Sequence, residues 1–389
     1  MDQDRVVEGI GLGKAADDLS FGSEERIFVA TQWQLMWWKF RKHQLAIVGS
    51  IVLIVLYLTA IMADFIAPND PNQFNKLYPY APPQPIRFVD ENGFQLQPFV
   101  YGLSRARDPV SLAVVFEVDT ETKYPVRFFV HSYPYKLWGL FSTDMHLIGA
   151  GVDPAKLEET FYLFGSDRLG RDQLSRILYG TRISLSIGLV GMSLSFLLGI
   201  FMGGISGYYG GIADNIIQRV IEFLRSVPTI PLWMALSAAL PPTWPPIRVY
   251  FGITIILSLV SWTGLARVVR SKFLSLREED FIMAAQLCGT SELRIIFRHL
   301  LPSFLSYIIA SLTLSIPGLI LSETSLSFIG LGLRPPTISW GVLMKEAQNL
   351  VVVAKAPWLL LPGLFIVVTV LSFNFMGDGL RDAADPYVR

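Results

Sequence analysis

Residues 183–209 read ISLSIGLVGMSLSFLLGIFMGGISGYY, from Ile183 to Tyr209, with no charged side chain. A helix rises about 1.5 Å per residue, so roughly 20 apolar residues cross a hydrocarbon core of about 30 Å. This stretch exceeds that length and predicts a membrane-spanning helix. Working outward gives five more. Ala46 to Ala63 is closed by Asp64 and Pro68. A less clean segment starts near Ile216, carries Arg219, Glu222 and Arg225, and runs apolar from Ser226 to Leu240. Val249 to Ala266, Phe304 to Ser322 and Pro357 to Gly377 complete the set, the last with Trp358 where an amphipathic ring suits an interface.

The composition agrees. The chain has 389 residues, 52% hydrophobic and 16% charged, with a mean hydropathy of +0.45. Soluble domains run near 25% charged. The 32 basic and 32 acidic residues cancel, which excludes a basic nucleic-acid binder and an acidic disordered chain. Cys288 is the only cysteine, so there is no disulfide framework or cysteine-rich metal site. His43, His131, His146 and His299 are scattered, and no metal site is expected.

Six spans place both termini on one side. Twelve basic residues, among them Arg41, Lys42, Arg267, Arg270, Arg294 and Arg381, flank one set of span ends. Arg248, Arg334, Lys345 and Lys355 flank the other. The excess marks the cytoplasmic face. The expectation is an all-α integral membrane protein of six transmembrane helices, N-in and C-in, with a β-rich external insertion between helices 1 and 2. It comprises a cytoplasmic N-terminal tail (1–45), the first transmembrane helix (46–66), the insertion (67–182), a five-helix core (183–376) containing a cytoplasmic loop at 271–303, and a cytoplasmic C-terminal tail (377–389). The first span is too long and too far from the start to be a cleaved signal. In the tail, Gly9-Ile-Gly11-Leu-Gly13-Lys14-Ala15 fails as a phosphate loop, because Glu8 replaces the first glycine and Ala15 the hydroxyl. It reads as flexible tail.

The insertion carries Pro82-Pro83-Gln-Pro85, β-type runs at 112–119 and 125–130, and the turn signal Asn92-Gly93. Its aromatics, including Tyr78, Phe88, Phe94, Phe99, Tyr101 and Trp138, form either a core or a docking surface for an external protein. The need of so short a segment to bury area favours the core.

The segment from Arg277 to Pro302, REEDFIMAAQLCGTSELRIIFRHLLP, reads as two short helices. Glu278, Glu279 and Asp280 open the first, where the helix dipole favours anions. Gly289 fits a C′ stop, Thr290 or Ser291 caps the second, and Pro302 closes it. Ala284-Ala285 keeps the profile low just before the turn.

This segment resembles the EAA loop of permease subunits of binding-protein-dependent ABC importers. Ala284, Ala285, Gly289, Leu301 and Pro302 match, whereas Met283 stands where the family often has Glu and His299 at a hydrophobic position. Arg298-His299-Leu-Leu-Pro302 resembles the C-type permeases of oligopeptide and dipeptide importers. So do Phe164-Gly-Ser-Asp167 through Arg176, Leu326 through Gly332 with Pro335-Pro336 and Ser339-Trp340-Gly341, and Gly377-Asp378-Gly379-Leu380-Arg381-Asp382 with Asp385-Pro386. Residues 70–160 depart from it, being longer than usual.

The resemblance implies a second permease, two ATP-binding subunits docked below, and an extracytoplasmic solute-binding protein. ATP and Mg would be bound by the partner subunits and no cofactor by this chain, which is not itself an enzyme. Met283, Ala284, Ala285, Gly289, Arg298 and Pro302 would couple ATP-driven closure to motion of spans three to five. Subfamily cargo is chiefly peptide, with oligosaccharide, opine or nickel as alternatives.

Pro228, Pro231 and Pro317-Gly318 are candidate hinges, or simply packing positions. Arg219, Glu222 and Arg225 share one helix face and suggest an ion-paired, wetted entrance. Glu323 either lines a wet path or snorkels at a rim. A stand-alone secondary transporter is the rival of a different class. No G-x-S-x-G or H-E-x-x-H motif supports a membrane-embedded enzyme.

Overall fold

The structure, a computed structural model, describes residues 31–91, 93–107, 109, 114–150, 159 and 161–384. The Gly9–Ala15 stretch, Asn92, the start of the 112–119 run and Asp385-Pro386 lie outside these.

In chain order the helices are α1 (Gln32–Lys42), α2 (Gln44–Ile61) and α3 (Ala63–Ile66), then α4 (Gln173–Tyr209), α5 (Gly211–Ser226), α6 (Thr229–Ala238) and α7 (Pro246–Leu276). After these come α8 (Asp280–Leu287), α9 (Glu292–Ile295), α10 (Leu305–Ile329), α11 (Trp340–Met344), α12 (Leu350–Lys355) and α13 (Leu361–Ala384). Between α3 and α4 lie β1 (Arg87–Asp90), β2 (Gly93–Arg107), β3 (Val114–Leu137) and β4 (Phe141–Ala150), antiparallel in the order β1-β2-β3-β4. Among the described residues, α2, α4, α7, α10 and the run Pro357–Ala384 are long and apolar enough to cross a membrane.

One expected span is not a single helix. The segment 216–240 divides into α5, of 16 residues, and α6, of 10. Between them Val227 and Pro228 are extended, with ψ of 132° and 125°. Proline lacks an N–H and forces the preceding residue out of helical backbone, so the helix stops there. Helix α4 also begins ten residues before Ile183, because Asp172 caps it and the polar Gln173, Ser175, Arg176 and Thr181 are buried in protein. Part of the expected tail is helical too: Thr31 and Gln34 form a capping box at the start of α1, which exposes Trp33, Trp37 and Trp38 and buries Met36 and Phe40.

The long helices pack through small residues. Gly199, Gly203 and Gly207 recur every fourth residue of α4. A Cβ on Gly203 would lie 2.5 Å from the Ala266 carbonyl, and one on Gly207 2.8 Å from that of Arg270. Two backbones meet here as they do at small-xxx-small membrane contacts. Helix α2 lies along α13, where a Cβ on Gly49 would lie 2.6 Å from Ser372 O. His43, before α2, comes within 4.0 Å of Asp382 near the end of α13.

The sheet is tied to the chain leaving α3. Tyr78 Oη donates to Leu103 O at 3.0 Å and Gln84 Nε2 to Tyr101 O at 2.9 Å. Tyr78, Phe99 and Tyr101 are buried, whereas Phe88, Phe94 and Trp138 lie exposed.

Candidate functional site

Segment 277–302 hangs below the ends of α4 and α7 and presents two kinds of apolar side chain. Ile282, Ile295, Ile296 and Leu300 are buried with Val269, Phe273, Phe304 and Ile308. Phe281, Met283, Leu287, Leu293 and Phe297 are exposed, Leu287 by 89%. The buried set fixes the segment to the helix ends. The exposed set forms an apolar patch that none of the described residues covers. Ala284 is exposed and Ala285 half-buried beside it, so the patch is flat at its centre.

Gly289 turns the chain. Its φ is +70°, and the Gly289 N–H donates to Gln286 O at 2.9 Å while Thr290 N–H donates to Ala285 O at 3.1 Å. These two bonds are a Schellman closure of α8. A Cβ there would meet nothing within 4 Å, so conformation rather than crowding inside this chain calls for glycine. Ser291 occupies the N-cap of α9 without a side-chain bond to the backbone.

Pro302 does not close the second helix as expected. Helical backbone runs on through a π-turn, Ile296–Leu300, and through Leu301–Ser303, and breaks at Phe304, where φ is −130°. A proline at 302 has no N–H for the carbonyl of Arg298, and the wide turn just before it accommodates that loss. Arg298 lies exposed on this turn.

The sequence reading missed the clamp above this segment. Asp214, in the first turn of α5, accepts from Arg270 of α7 twice at 2.6 Å, Nε to Oδ1 and Nη2 to Oδ2, and from Ser206 Oγ of α4 at 2.5 Å. One carboxylate thus joins three helices six residues before α7 runs into the 277–302 segment. Tyr209 Oη adds a bond to Glu292 at 2.9 Å. No local pattern signals this pair, whose members lie 56 residues apart. The four-residue glycine spacing was the signal for the α4–α7 seam.

The other candidate residues lie elsewhere. Pro228 stands at the α5–α6 break and Pro231 in the first turn of α6. Pro317 is buried inside α10, which continues through it. Gly318 lines an apolar cavity of about 290 Å³ with Ile230 and Trp233 of α6. Glu323 is wholly buried. Its Oε1 accepts from Ser327 Oγ at 2.7 Å and Ser339 Oγ at 2.8 Å, which pins the 330–340 loop to α10. Arg219 pairs with Glu222 at 2.8 Å on an exposed face of α5.

At the opposite end of α4, segment 164–176 pairs its buried charges with one another, while the Gln173 side-chain amide is buried without a hydrogen-bond partner among the described residues. Asp167 Oδ1 accepts from the N–H groups of Leu169 (2.8 Å) and Arg171 (3.0 Å), and Oδ2 from Arg171 Nε (2.6 Å). Arg176 Nε lies 3.4 Å from that same oxygen, and its Nη1 donates to Pro71 O at 3.1 Å. Asp172 Oδ2 accepts from Ser175 N–H at 2.9 Å and Ser175 Oγ at 2.5 Å. Burial pushes the Asp172 carboxyl up to about 6. Trp358 Nε1 donates to Ser166 O at 2.9 Å, joining the entrance of α13 to the same knot.

Comparison with known proteins fits this arrangement. The family described as "Binding-protein-dependent transport system inner membrane component" matches residues 195–389, and "N-terminal TM domain of oligopeptide transport permease C" matches residues 31–83. The dipeptide transport system permease protein DppC of Haemophilus influenzae is 30% identical over 360 residues, 92% of this chain and 96% of that protein. The oligopeptide transport system permease protein OppC of the same organism is 40% identical over 245 residues, 63% of this chain and 75% of that one. A chain of the inward-facing MetNI methionine ABC transporter aligns over 55% of this chain and 97% of its own length, with 19% identity and a TM-score of 0.42. The chain is a multi-pass protein of the bacterial inner membrane and belongs to the permease family of binding-protein-dependent ABC importers.

Proposed function

We propose that this permease carries peptides, delivered by an extracytoplasmic binding protein, through a path it shares with a second permease. Two ATP-binding subunits hold the ATP and Mg and dock on segment 277–302. The peptide reading is supported by relatives named as oligopeptide and dipeptide permeases. The docking reading rests on one observation above all: apolar Phe281, Met283, Leu287, Leu293 and Phe297 are exposed on a segment whose other apolar side chains are anchored in the core. Ala284, Ala285 and Gly289 let a partner approach closely, Met283 and Arg298 rim the contact, and Pro302 shapes the turn leading into α10.

In this reading α5 and α6 together make the third of six crossings, broken at Pro228, and both chain ends are cytoplasmic. The His43–Asp382 approach supports ends on one side. Thrust on α8 passes to α7, and from α7 through Arg270 to Asp214 and α5. Pro228, Pro231, Pro317 and Gly318 then flex around the cavity between α6 and α10, and Glu323 holds the outer loop.

The test is uptake by the assembled transporter in proteoliposomes, with its binding protein and a labelled tripeptide. Vanadate-sensitive, ATP-dependent uptake is the expected result. Uptake that survives loss of the ATPases would point to a stand-alone secondary transporter. ATP-dependent uptake of an oligosaccharide, opine or nickel in place of peptide would keep the architecture and change the cargo.

A further inference from the structure

The sheet lies outside both family-matched segments, between residues 83 and 195, and its β3–β4 hairpin ends in Leu137-Trp138-Gly139-Leu140-Phe141. Trp138 and Gly139 have φ of 54° and 74°, the two positive values of a primed hairpin turn. Such a position favours asparagine or glycine, and a bulky side chain there carries backbone strain. Trp138 is therefore a costly choice for a turn in water. Its indole is half-exposed, and Leu140 and Phe141 are exposed by 76% and 62%. An unshielded apolar tip of this kind is unfavourable in solvent.

The tip is fixed in depth. Trp138 Nε1 donates to Ile61 O at 3.1 Å, at the last residue of the span α2. One turn farther out, the Phe129 ring of β3 lies 6.3 Å from that of Phe65. Arg182, which donates to Ala60 O at 3.0 Å and pairs with Asp64 at 3.0 Å, brings charge to this same level at the end of α2. Along α2 the exposed stripe is Ile51, Ile54, Val55, Leu58 and Ile61, an apolar face that none of the described residues covers, and the tip continues it. Tryptophan favours this headgroup depth, with its ring in the acyl boundary and its N–H on a polar partner.

We infer that the tip of the β3–β4 hairpin is seated in the bilayer interface at the Ile61 end of α2, where Trp138, Leu140 and Phe141 contact phospholipid at the headgroup–acyl boundary. The sheet is thereby moored to the membrane beside its own first span. The occupant is lipid because the patch continues a membrane-facing helix surface at the depth where that helix leaves the hydrocarbon. The inference requires only that α2 crosses the bilayer and is independent of the cargo.

The experiment is spin-label accessibility on the assembled transporter in phospholipid nanodiscs. The background is Cys288→Ser, with a nitroxide at Leu140→Cys and, as a second variant, at Phe141→Cys. Oxygen partitions into the acyl region and a nickel chelate into water. At both positions relaxation by oxygen is expected to exceed that by nickel, as at Leu58→Cys on α2 and opposite to Phe94→Cys on β2. Nickel exceeding oxygen would mean a solvated tip. Low access to both reagents would mean a protein cover, by the second permease or the binding protein. Either result overturns the inference.

Discussion

Segments 164–176 and 277–302 both sit at ends of long helices, yet they handle their polar and apolar groups in opposite ways. The outer segment turns its charges inward. Asp167, Arg171 and Arg176 are nearly fully buried and pair with one another, and Gly170 (φ +74°) passes so close to the Asn75 carbonyl that no side chain fits. The inner segment keeps five large apolar side chains outside, and its glycine has open space around it. One region pairs its charges within the chain. The other, in the proposed reading, meets a partner. The same residue type, a glycine at positive φ, is thus required by neighbours present in this chain at 170 and, in the proposed reading, by a partner's surface at 289.

The comparison can be broken most sharply at Gly289. Gly289→Arg is expected to reach the membrane in normal amount and to abolish uptake, because a Cβ at 289 meets nothing within 4 Å and the long side chain beyond it would hold a docked partner away. Immunoblots of membranes alongside an uptake assay check both halves. Normal transport would remove the docking role of the loop.

Asp167→Ala should act the other way, through folding. It leaves Arg171 and Arg176 buried without their carboxylate, a loss of about 3–5 kcal/mol. A large drop in thermal midpoint in detergent is expected, with uptake per folded transporter little changed.

Asp172 gives a smaller and pH-dependent effect. Burial pushes its carboxyl from 3.8 up to about 6, so the fold binds this proton more tightly than the unfolded chain does. The stabilising contribution is present below about pH 4 and is lost as pH rises through about 6, a difference worth about 3 kcal/mol. Asp172→Asn keeps an N-cap acceptor and removes the titration. At pH 7 the variant should be the more stable protein, and the gap should close on acidification. Thermal midpoints of both proteins from pH 4 to 8 measure it.

Gly289→Ala should have the smallest effect, about 1 kcal/mol for a methyl-bearing residue at φ +70°. Uptake largely retained in this variant, beside its loss in Gly289→Arg, would separate conformational strain from bulk.

Much of this was legible in the sequence. Charge-free length gave the spans α2, α4, α7, α10 and α13, because nothing else in a chain produces twenty apolar residues in a row. The Gly289 stop was equally plain, since a C′ glycine follows from local backbone preference. Hydropathy averages over Pro228 and counts 216–240 as one span, whereas the prolines at 228 and 231 mark it as a hinge candidate and the helix does stop at Pro228. For Glu323 the sequence leaves a wet path and a rim equally open, because its two hydroxyl partners, Ser327 and Ser339, are brought together only by the fold. The Asp214–Arg270 clamp spans 56 residues and leaves no local trace, whereas the Gly199-Gly203-Gly207 seam was visible as a spacing and went unused.

The most direct measurement of the central claim uses the native cysteine. Cys288 is exposed at the C-cap of α8, one residue from Gly289. Its maleimide labelling rate should be fast in the permease pair alone and strongly suppressed once the two ATP-binding subunits are assembled. An equal rate in both preparations would contradict docking on this segment.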